Sequence, residues 1–443
     1  MTYVALSRDA QPMPNASALV RLTALAIFLL ATGAAAAAQD RPLPGEFAEV
    51  CRVGGMDAPE WAFFDVSSVG FDAAGNLHIL DADAGQIVVM DSQCDLVRTV
   101  SRKGEGPGEL NMPFMLAVWR DGRTAVMDVG QAAYQVFAPD GKFERFVSMG
   151  SDRNPMAGVG GMSVAVRAEP AGDGLIAQGM PSRMHMIFET MAGLLGGDSS
   201  EERVDDRGLE RIDLAGETVS AAPVLQGWRP ALDVEEGEID IEDPMSIMES
   251  MMNAQVGFEP GFHWDLLPDG SVVWSDSTAF AIKFSGPGGS VGDVVERPYE
   301  PEPVTASIRR RTIEEGLAGL EGEDDEALFA EMEEMGGGMF SGINATMRRA
   351  IEDMRFHNEV PVVRGLKATW DGGVWVRRRG SEPSDDEGPI DVFTPDRAYA
   401  GTLDGERAEM PAAFGPDGLV AYWELGEFDV PTMVLKRLPE GIR

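Results

Sequence analysis

The chain has 443 residues, with 74 acidic and 36 basic side chains and a formal net charge of −38. A surface this acidic repels nucleic acid and anionic lipid, so the composition excludes a nucleic-acid-binding protein. The roughly 400 residues beyond the N-terminal leader are too many for one small core, but they suit a closed fold built from repeats.

The N-terminus has the three parts of a secretory signal peptide. Arg21 precedes an apolar run at 22–30, and a small-residue stretch at 31–38 ends at Gln39. The apolar run is short for a membrane span, and no second hydrophobic stretch follows it. We therefore predict a signal peptide at 1–38, a periplasmic or secreted mature protein and no transmembrane segment after cleavage. An N-terminal anchor is the alternative.

A strand–turn–strand unit recurs along the rest of the chain. Its first turn is marked by a glycine, at Gly75, Gly122, Gly174, Gly270, Gly372 and Gly418. Asp precedes five of these six glycines, and Asp-Gly favours a type I′ turn, in which both central residues have positive φ. We therefore expect residues 39–443 to form an all-β, six-bladed β-propeller of four-stranded antiparallel blades. Seven blades, one of them degenerate, are the alternative.

Three segments interrupt the repeat. Those at 184–207 and 233–253 are rich in Asp, Glu and Met, and the one at 304–356 lacks strand alternation. Within the third segment, the helix-prone stretches 308–320, 325–335 and 345–354 predict a helical insertion.

The last unit supplies only three strands, whereas the alternating segment at 46–53 belongs to no unit. Pairing that segment with the final blade would close the ring and cover its edges. Cys51 and Cys94 are the two cysteines of the chain, and in an oxidising compartment they are a plausible disulfide. Two independent buried thiols are the alternative.

Several segments resemble a known family. The strands at 76–81 and 87–91 look like the blade pattern of NHL-type and TolB-like six-bladed propellers. The segment 102–110 resembles a connector between blades in bacterial exported six-bladed propeller proteins, and 297–305 and 365–376 are similar to the same group. The resemblance implies a six-bladed fold and export, but no activity.

Two kinds of metal site are worth testing in such a ring. A zinc site would need several histidines to converge on the central channel; of His78, His185, His263 and His357, only His263 lies on an innermost-type strand. A calcium site of the lactonase kind would need carboxylates and an amide there, and Asp65 and Asp265 are the best placed acids. We assign no metal ligand from the sequence, and Ca²⁺ is an open alternative as cofactor.

No recognised catalytic motif is present, although propeller sites are assembled from distant blades. We therefore expect a binding or protein-interaction module, whose unidentified protein or small-molecule partner meets one face of the ring. The alternative is a metal-assisted hydrolase or lyase, lactonase-like, that uses the central channel. The candidate channel residues are Asp65, His263, Asp265 and Arg364. Oligomeric state is left open.

Overall fold

The structure is a computed structural model, which describes residues 40–55, 58–59, 61, 66–150, 162–181, 204–229, 246, 256–286, 289–320, 343–425 and 430–443. The predicted signal peptide and the helix-prone stretch 325–335 lie outside these residues. So do nearly all residues of the two acidic insertions.

Six four-stranded antiparallel sheets form the six predicted blades of a β-propeller. This is the fold that the resemblance to exported bacterial propellers implies. The strands β1 to β13 are Ala48–Gly54, Val66–Phe71, Leu77–Asp81, Gln86–Met90, Leu96–Val100, Pro113–Val118, Thr124–Asp128, Ala133–Phe137, Phe143–Ser148, Ala165–Ala168, Leu175–Gln178, Gly208–Asp213 and Ser220–Gln226. The strands β14 to β28 are Val256–Gly257, His263–Leu266, Val272–Ser275, Ala281–Ser285, Val291–Glu296, Glu302–Pro303, Arg355–Phe356, Glu359–Val360, Val363–Ala368, Val374–Arg378, Ile390–Phe393, Tyr399–Leu403, Ala413–Phe414, Leu419–Leu425 and Pro431–Arg437.

Blades 1 to 5 each take four consecutive strands: β2–β5, β6–β9, β10–β13, β15–β18 and β22–β25. Blade 6 takes β26, β27 and β28, and β1 is its fourth strand. β1 pairs with β28 from Ala48 opposite Arg437 to Gly54 opposite Thr432. The first strand of the chain therefore closes the ring on the last one.

Alternate residues of each middle strand pack against opposite neighbours, which builds a continuous ring of apolar contacts. On β3, Ile79 packs in the cluster between blades 6 and 1, whereas Leu80 packs in the cluster between blades 1 and 2. Equivalent clusters join blades 2 and 3, 3 and 4, 4 and 5, and 5 and 6. A strand with a blade on each side is buried on both faces, and every residue of β3 and β7 is buried.

The predicted glycine turns are present, but most are of a different type. Gly75, Gly122, Gly270 and Gly372 have φ between 83° and 98°, and each donates its N–H to the carbonyl three residues earlier. These are three-residue loops, a type I turn followed by a left-handed glycine. The Asp before Gly122, Gly270 and Gly372 keeps a negative φ, so the type I′ prediction is wrong at these three turns; among the five Asp-Gly pairs only Asp417, before Gly418, has a positive φ. Gly174 closes a longer loop and lacks a positive φ.

The two faces of the ring differ in what they carry. Because the strands alternate in direction, the turns between first and second strands and between third and fourth strands share one face, here named the turn face. The blade-to-blade connectors and the loops between second and third strands share the other, here named the insertion face. All three insertions leave from strand ends on the insertion face.

The connector between blades 4 and 5 contains the predicted helical insertion. Its helices are α1 (Ala306–Gly319) and α2 (Ile343–Glu352). Thr305 caps α1 by accepting a hydrogen bond from the backbone N–H of Ile308, and Ile308 packs with Val304 and Val360 in a small core. None of the described helices is long and apolar enough to cross a bilayer.

The N-terminal segment contacts three blades. Residues 41–43 run beside β25 of blade 5, where Leu43 N–H donates to Thr402 and Thr402 N–H donates to Arg41. Asp40 lies 2.7 Å from Arg378 and 3.1 Å from Arg297, and it accepts a hydrogen bond from Tyr299. Burial alone would raise the pKa of Asp40, but the Tyr299 hydrogen bond and the two arginines hold it below its ordinary value.

The two cysteines connect the N-terminal segment to blade 1. Cys51 lies in β1 of blade 6 and Cys94 lies in the turn between β4 and β5 of blade 1. The structure joins them in a disulfide, with Cα atoms 5.9 Å apart. The bond therefore links the closing strand to the next blade of the ring.

We expect reduction of this disulfide to lower the melting temperature. A cross-link across a loop of this length typically stabilises by about 2–4 kcal/mol, which corresponds to a few degrees for a ring of this size. Thermal melts with and without a phosphine reductant measure the effect. The C51S/C94S double variant is the control, because the reductant should not change its melting temperature. Identical melting temperatures of the oxidised and reduced protein would show that the disulfide does not stabilise the closed ring.

We expect Asp40→Asn to loosen the N-terminal segment without unfolding the ring. The substitution keeps the size of the side chain but removes the charge that pairs with Arg297 and Arg378. Hydrogen exchange at the amides of Leu43 and Thr402 should become several-fold faster at neutral pH. Because the pKa of Asp40 is lowered, the wild type should lose the same protection only as the pH falls below the ordinary aspartate range. Asp140→Asn, an exposed acid paired with Lys142, should change neither amide.

Candidate functional site

The central channel is a candidate site to which all six blades contribute. It encloses about 490 Å³, which is within the usual range for small-molecule pockets. Its wall is made by the innermost strands β2, β6, β10, β15, β22 and β26 and by the turns that follow some of them. The charged residues in the wall are Arg120, Arg167, Asp265 and Lys367.

A contact between opposite blades bridges the turn-face end of the channel. Arg120 follows β6 in blade 2 and Trp370 follows β22 in blade 5, so the two turns face each other across the ring. Arg120 Nη2 donates to the Trp370 carbonyl at 2.8 Å, and the guanidinium lies 4.2 Å from the centroid of the Trp370 ring. Burial lowers the pKa of Arg120, which the Asp371 charge partly offsets. The contact therefore bridges the channel at its turn-face end, and we name the channel bounded in this way the cup.

Lys367 is the second basic group in the cup. It lies on β22, and its Nζ donates to the carbonyl oxygens of Pro411 at 2.6 Å and Ala412 at 2.8 Å, just before β26. The pKa of Lys367 is lowered to about 8. Burial is the main cause, the charge of Arg167 contributes in the same direction and the charge of Asp265 opposes the shift. The ammonium group thus ties blade 5 to blade 6 and also faces the channel.

Of the predicted candidates that lie within the described residues, Asp265 is the one that lines the channel. Its Oδ2 accepts a hydrogen bond from the backbone N–H of Ala368 at 2.9 Å, and its Oδ1 accepts one from Leu266 at 3.0 Å. Oδ1 also lies 3.4 Å from Arg167 Nε. The carboxylate therefore joins the inner strands of blades 3, 4 and 5, and both oxygens have partners in that framework.

The charge of Arg364 helps to lower the pKa of His263, but neither residue lines the channel. Burial lowers the pKa of His263 to about 4, and the charges of Arg364 and Arg207 add to the shift, so the imidazole is neutral at physiological pH. Arg364 Nη2 donates to Pro383 at 2.6 Å, and its Nε lies 3.2 Å from Asp386. Asp65, the remaining candidate, lies outside the described residues.

The histidines do not converge where the structure places them. His78 is buried in blade 1, with Nε2 3.2 Å from Asp72, and His357 lies in the connector before blade 5, beside Glu359. His185 lies outside the described residues. Across the described ranges, no three side chains of His, Cys, Asp or Glu are grouped so that they could hold a metal ion.

Arg120, Lys367 and Trp370 were missed at the level of sequence. Arg120 and Trp370 each stand two residues before the glycine of an Asp-Gly turn and two residues after the end of an inner strand. The turn pattern could have identified both residues, had it been searched for side chains as well as for loops.

Comparisons with known proteins give distant similarities only. No protein-family model and no curated protein matches the chain. A presumed exported protein from Bacteroides fragilis matches 90% of this chain and 98% of its own, at 10% identity and a TM-score of 0.45. A member of the DUF4221 family from Bacteroides vulgatus matches 89% and 99%, at 9% identity and a TM-score of 0.45. Virginiamycin B lyase from Staphylococcus aureus matches 88% and 98%, at 8% identity and a TM-score of 0.36.

We expect His263 to make the fold less stable in acid. Its folded-state pKa of about 4 lies below the ordinary value of 6.5, so between these values the unfolded chain takes up a proton that the native state excludes. Stability should therefore fall as the pH drops through this window, by at most about 3 kcal/mol from this group. Urea unfolding of wild type and His263→Gln at neutral pH and near pH 4.5 measures the difference. His357→Gln is the control, and an equal pH dependence in all three proteins would contradict the assignment.

Proposed function

We propose that this chain is an exported binding module that takes a small anionic molecule into its central cup. The leader at the N-terminus and the cysteine pair support a periplasmic or secreted location. The ligand enters from the insertion face, because the Arg120–Trp370 contact bridges the other end.

The observation that carries the proposal is the pairing of the basic groups in the cup. The chain has two acids for every base, so an unpaired cation is unusual. Among the described residues, however, the hydrogen-bond partners of Arg120 and Lys367 are backbone carbonyls and not carboxylates. Arg120 uses one of its five N–H donors in this way, and Lys367 uses two of three. Donors therefore remain for an anion.

The charges of the cup and of the outer surface favour an anionic ligand. A carboxylate or phosphate held by an arginine and a lysine in a partly desolvated pocket forms charge-assisted hydrogen bonds, which are about twice as strong as neutral ones. The acidic outer surface repels anions, whereas the part of the cup that the structure describes has three bases, Arg120, Arg167 and Lys367, and one acid, Asp265. The selectivity for an anion thus arises inside the ring. The hydrolase or lyase alternative gains no separate support, because the Asp265 oxygens already accept backbone hydrogen bonds.

We expect Arg120→Gln and Lys367→Met each to weaken the binding of small carboxylates at least tenfold. Loss of one charge-assisted bond of about 1.5–3 kcal/mol accounts for this. Dissociation constants from ligand-observed NMR or calorimetry, at constant ionic strength, measure the loss. Binding to the wild type should also weaken as the pH rises through about 8, because Lys367 then loses its charge.

Two exposed substitutions match these variants in charge. Arg102→Gln and Lys142→Met remove a surface base that is paired with Glu109 or Asp140 and should leave affinity unchanged. Equal losses in all four variants would mean a general effect of net charge. No measurable binding of carboxylates or phosphate to the wild type would refute the proposal.

A further inference from the structure

Lys367 differs from the other four lysines of the chain in its surroundings. Three lysines form ion pairs with Asp or Glu side chains: Lys142, Lys283 and Lys436. Lys103 is exposed, and its Nζ lies 3.4 Å from the Asp83 carbonyl oxygen. Lys367 is only partly exposed, and of the five it is the one that belongs to the wall of the cup. A molecule in the cup therefore meets this amine and not the others.

The hydrogen bonds of Lys367 fix the direction of its nitrogen. Two of the three N–H groups of the ammonium donate to the carbonyl oxygens of Pro411 and Ala412, at 2.6 and 2.8 Å. A neutral amine keeps two N–H groups and carries a lone pair in the third position. That position is directed away from both carbonyls, and Lys367 borders the cup. Loss of one proton therefore costs neither hydrogen bond and leaves a nucleophile that a molecule in the cup can approach.

Burial and the nearby charges favour the neutral amine. Burial is the main cause that lowers the pKa of Lys367 from its ordinary value of 10.5 to about 8. The charges of Arg167 on β10 and Arg377 on β23 act in the same direction, and the charge of Asp265 on β15 opposes them. At pH 7 about one molecule in ten then carries the neutral amine, roughly two orders of magnitude more than for an ordinary lysine. Burial and a neighbouring cation are the usual means by which a protein activates a lysine as a nucleophile.

Asp265 places a second basic group, Arg167, beside this amine. Its Oδ2 accepts a hydrogen bond from the N–H of Ala368, the residue after Lys367, and its Oδ1 lies 3.4 Å from Arg167 Nε. Arg167 Nη1 donates to the Val166 carbonyl at 2.9 Å, so the guanidinium keeps further N–H groups for a ligand. Its side chain is 45% exposed and lines the cup. A carboxylate that binds Arg167 therefore lies near the nitrogen of Lys367.

We infer that Lys367 is a covalent binding site for small 2-oxo acids, whose carboxylate also binds Arg167. The inference rests on the proposed function and names the chemical class of the anion. Because protons exchange with water, the same group attracts the anion as an ammonium and then reacts as an amine.

The bond forms without an oxidant or a reductant. The lone pair of Nζ attacks the ketone carbon, and the π electrons of the carbonyl group move to its oxygen. The nitrogen gives a proton to water and the oxygen takes one up, which yields a carbinolamine. Loss of the hydroxyl group and of the remaining proton on nitrogen, together as water, leaves a carbon–nitrogen double bond between Lys367 and the ligand. Addition of water reverses the reaction.

Reductive trapping with pyruvate tests the inference on the unaltered protein. Cyanoborohydride transfers hydride to the imine and makes the adduct permanent, and peptide mass mapping then locates it. At pH 7 Lys367 should carry at least tenfold more label than any other lysine, with the α-amino group counted separately. The ratio of label on Lys367 to label on Lys142 should fall above pH 8. Lys367 is then mostly neutral, whereas the neutral fraction of Lys142 still grows, because its hydrogen bond to Asp140 raises its pKa.

Methyl pyruvate is the matched ligand, because it has the same ketone but no charge. Relative to the label on Lys142, pyruvate should label Lys367 at least fivefold more than methyl pyruvate does. Arg167→Gln should remove this preference for the charged ligand. Arg102→Gln, which removes an exposed base paired with Glu109, should retain it.

Lys367→Arg removes the nucleophile but keeps N–H donors for the two backbone carbonyls. Its total adduct, measured by intact mass, should fall at least tenfold. Lys283→Arg is the matched control, because it makes the same change at a lysine paired with Asp276, and it should leave the adduct unchanged.

The outcomes distinguish the inference from the proposed function. Equal label on all five lysines overturns the inference. If carboxylates bind reversibly and Arg120→Gln weakens them, but Lys367 gains no adduct, the proposed function stands and the inference is wrong. If pyruvate and methyl pyruvate label Lys367 equally, the amine does not select a 2-oxo acid, which also contradicts the inference. If carboxylates neither bind nor react, both fail.

Discussion

The pairing of β1 with β28 holds the first strand of the chain against the last one, and each blade of the ring depends on it. A propeller blade buries both of its faces only when it has a neighbour on each side, as the middle strands of blades 1 and 2 do. An open ring would expose the clusters on both sides of the break and two sheet edges. The N-terminal segment prevents this by lying beside blade 5, completing blade 6 and bonding to blade 1 through Cys94.

Closure also fixes the geometry of the cup. Asp265 joins blades 3, 4 and 5 at the axis, and Lys367 joins blades 5 and 6. Arg120 and Trp370 connect opposite blades. Each of these contacts needs the blades at fixed angles around the axis, which only a closed ring provides. The same residues therefore stabilise the inner strands and supply the charge in the cup.

Local signals in the sequence predicted the fold well. In five of the six blades the glycine before the second strand has a positive φ, as at Gly122 and Gly372, and the recurrence of this glycine counts the blades. The type of turn was mispredicted because the Asp-Gly pair does not fix the length of the loop; the hydrogen bond from the glycine to the third residue before it does. The sequence could likewise indicate that 46–53 pairs with the last blade, because a strand without a unit needs a partner.

The site was harder to predict, because its residues meet only across the ring. Arg120 and Trp370 are 250 positions apart, and no local pattern links them. Asp265 was recognised from its inner strand, but the Ala368 N–H that donates to its Oδ2 lies on a blade that comes later in the chain.

The contact between Arg120 and Trp370 affects whether a molecule can pass through the ring. A polymer such as a peptide or a glycan could thread the axis only by separating the guanidinium from the ring and from the carbonyl, at a cost of about 1–3 kcal/mol. A continuous path along the axis therefore requires this contact to open first.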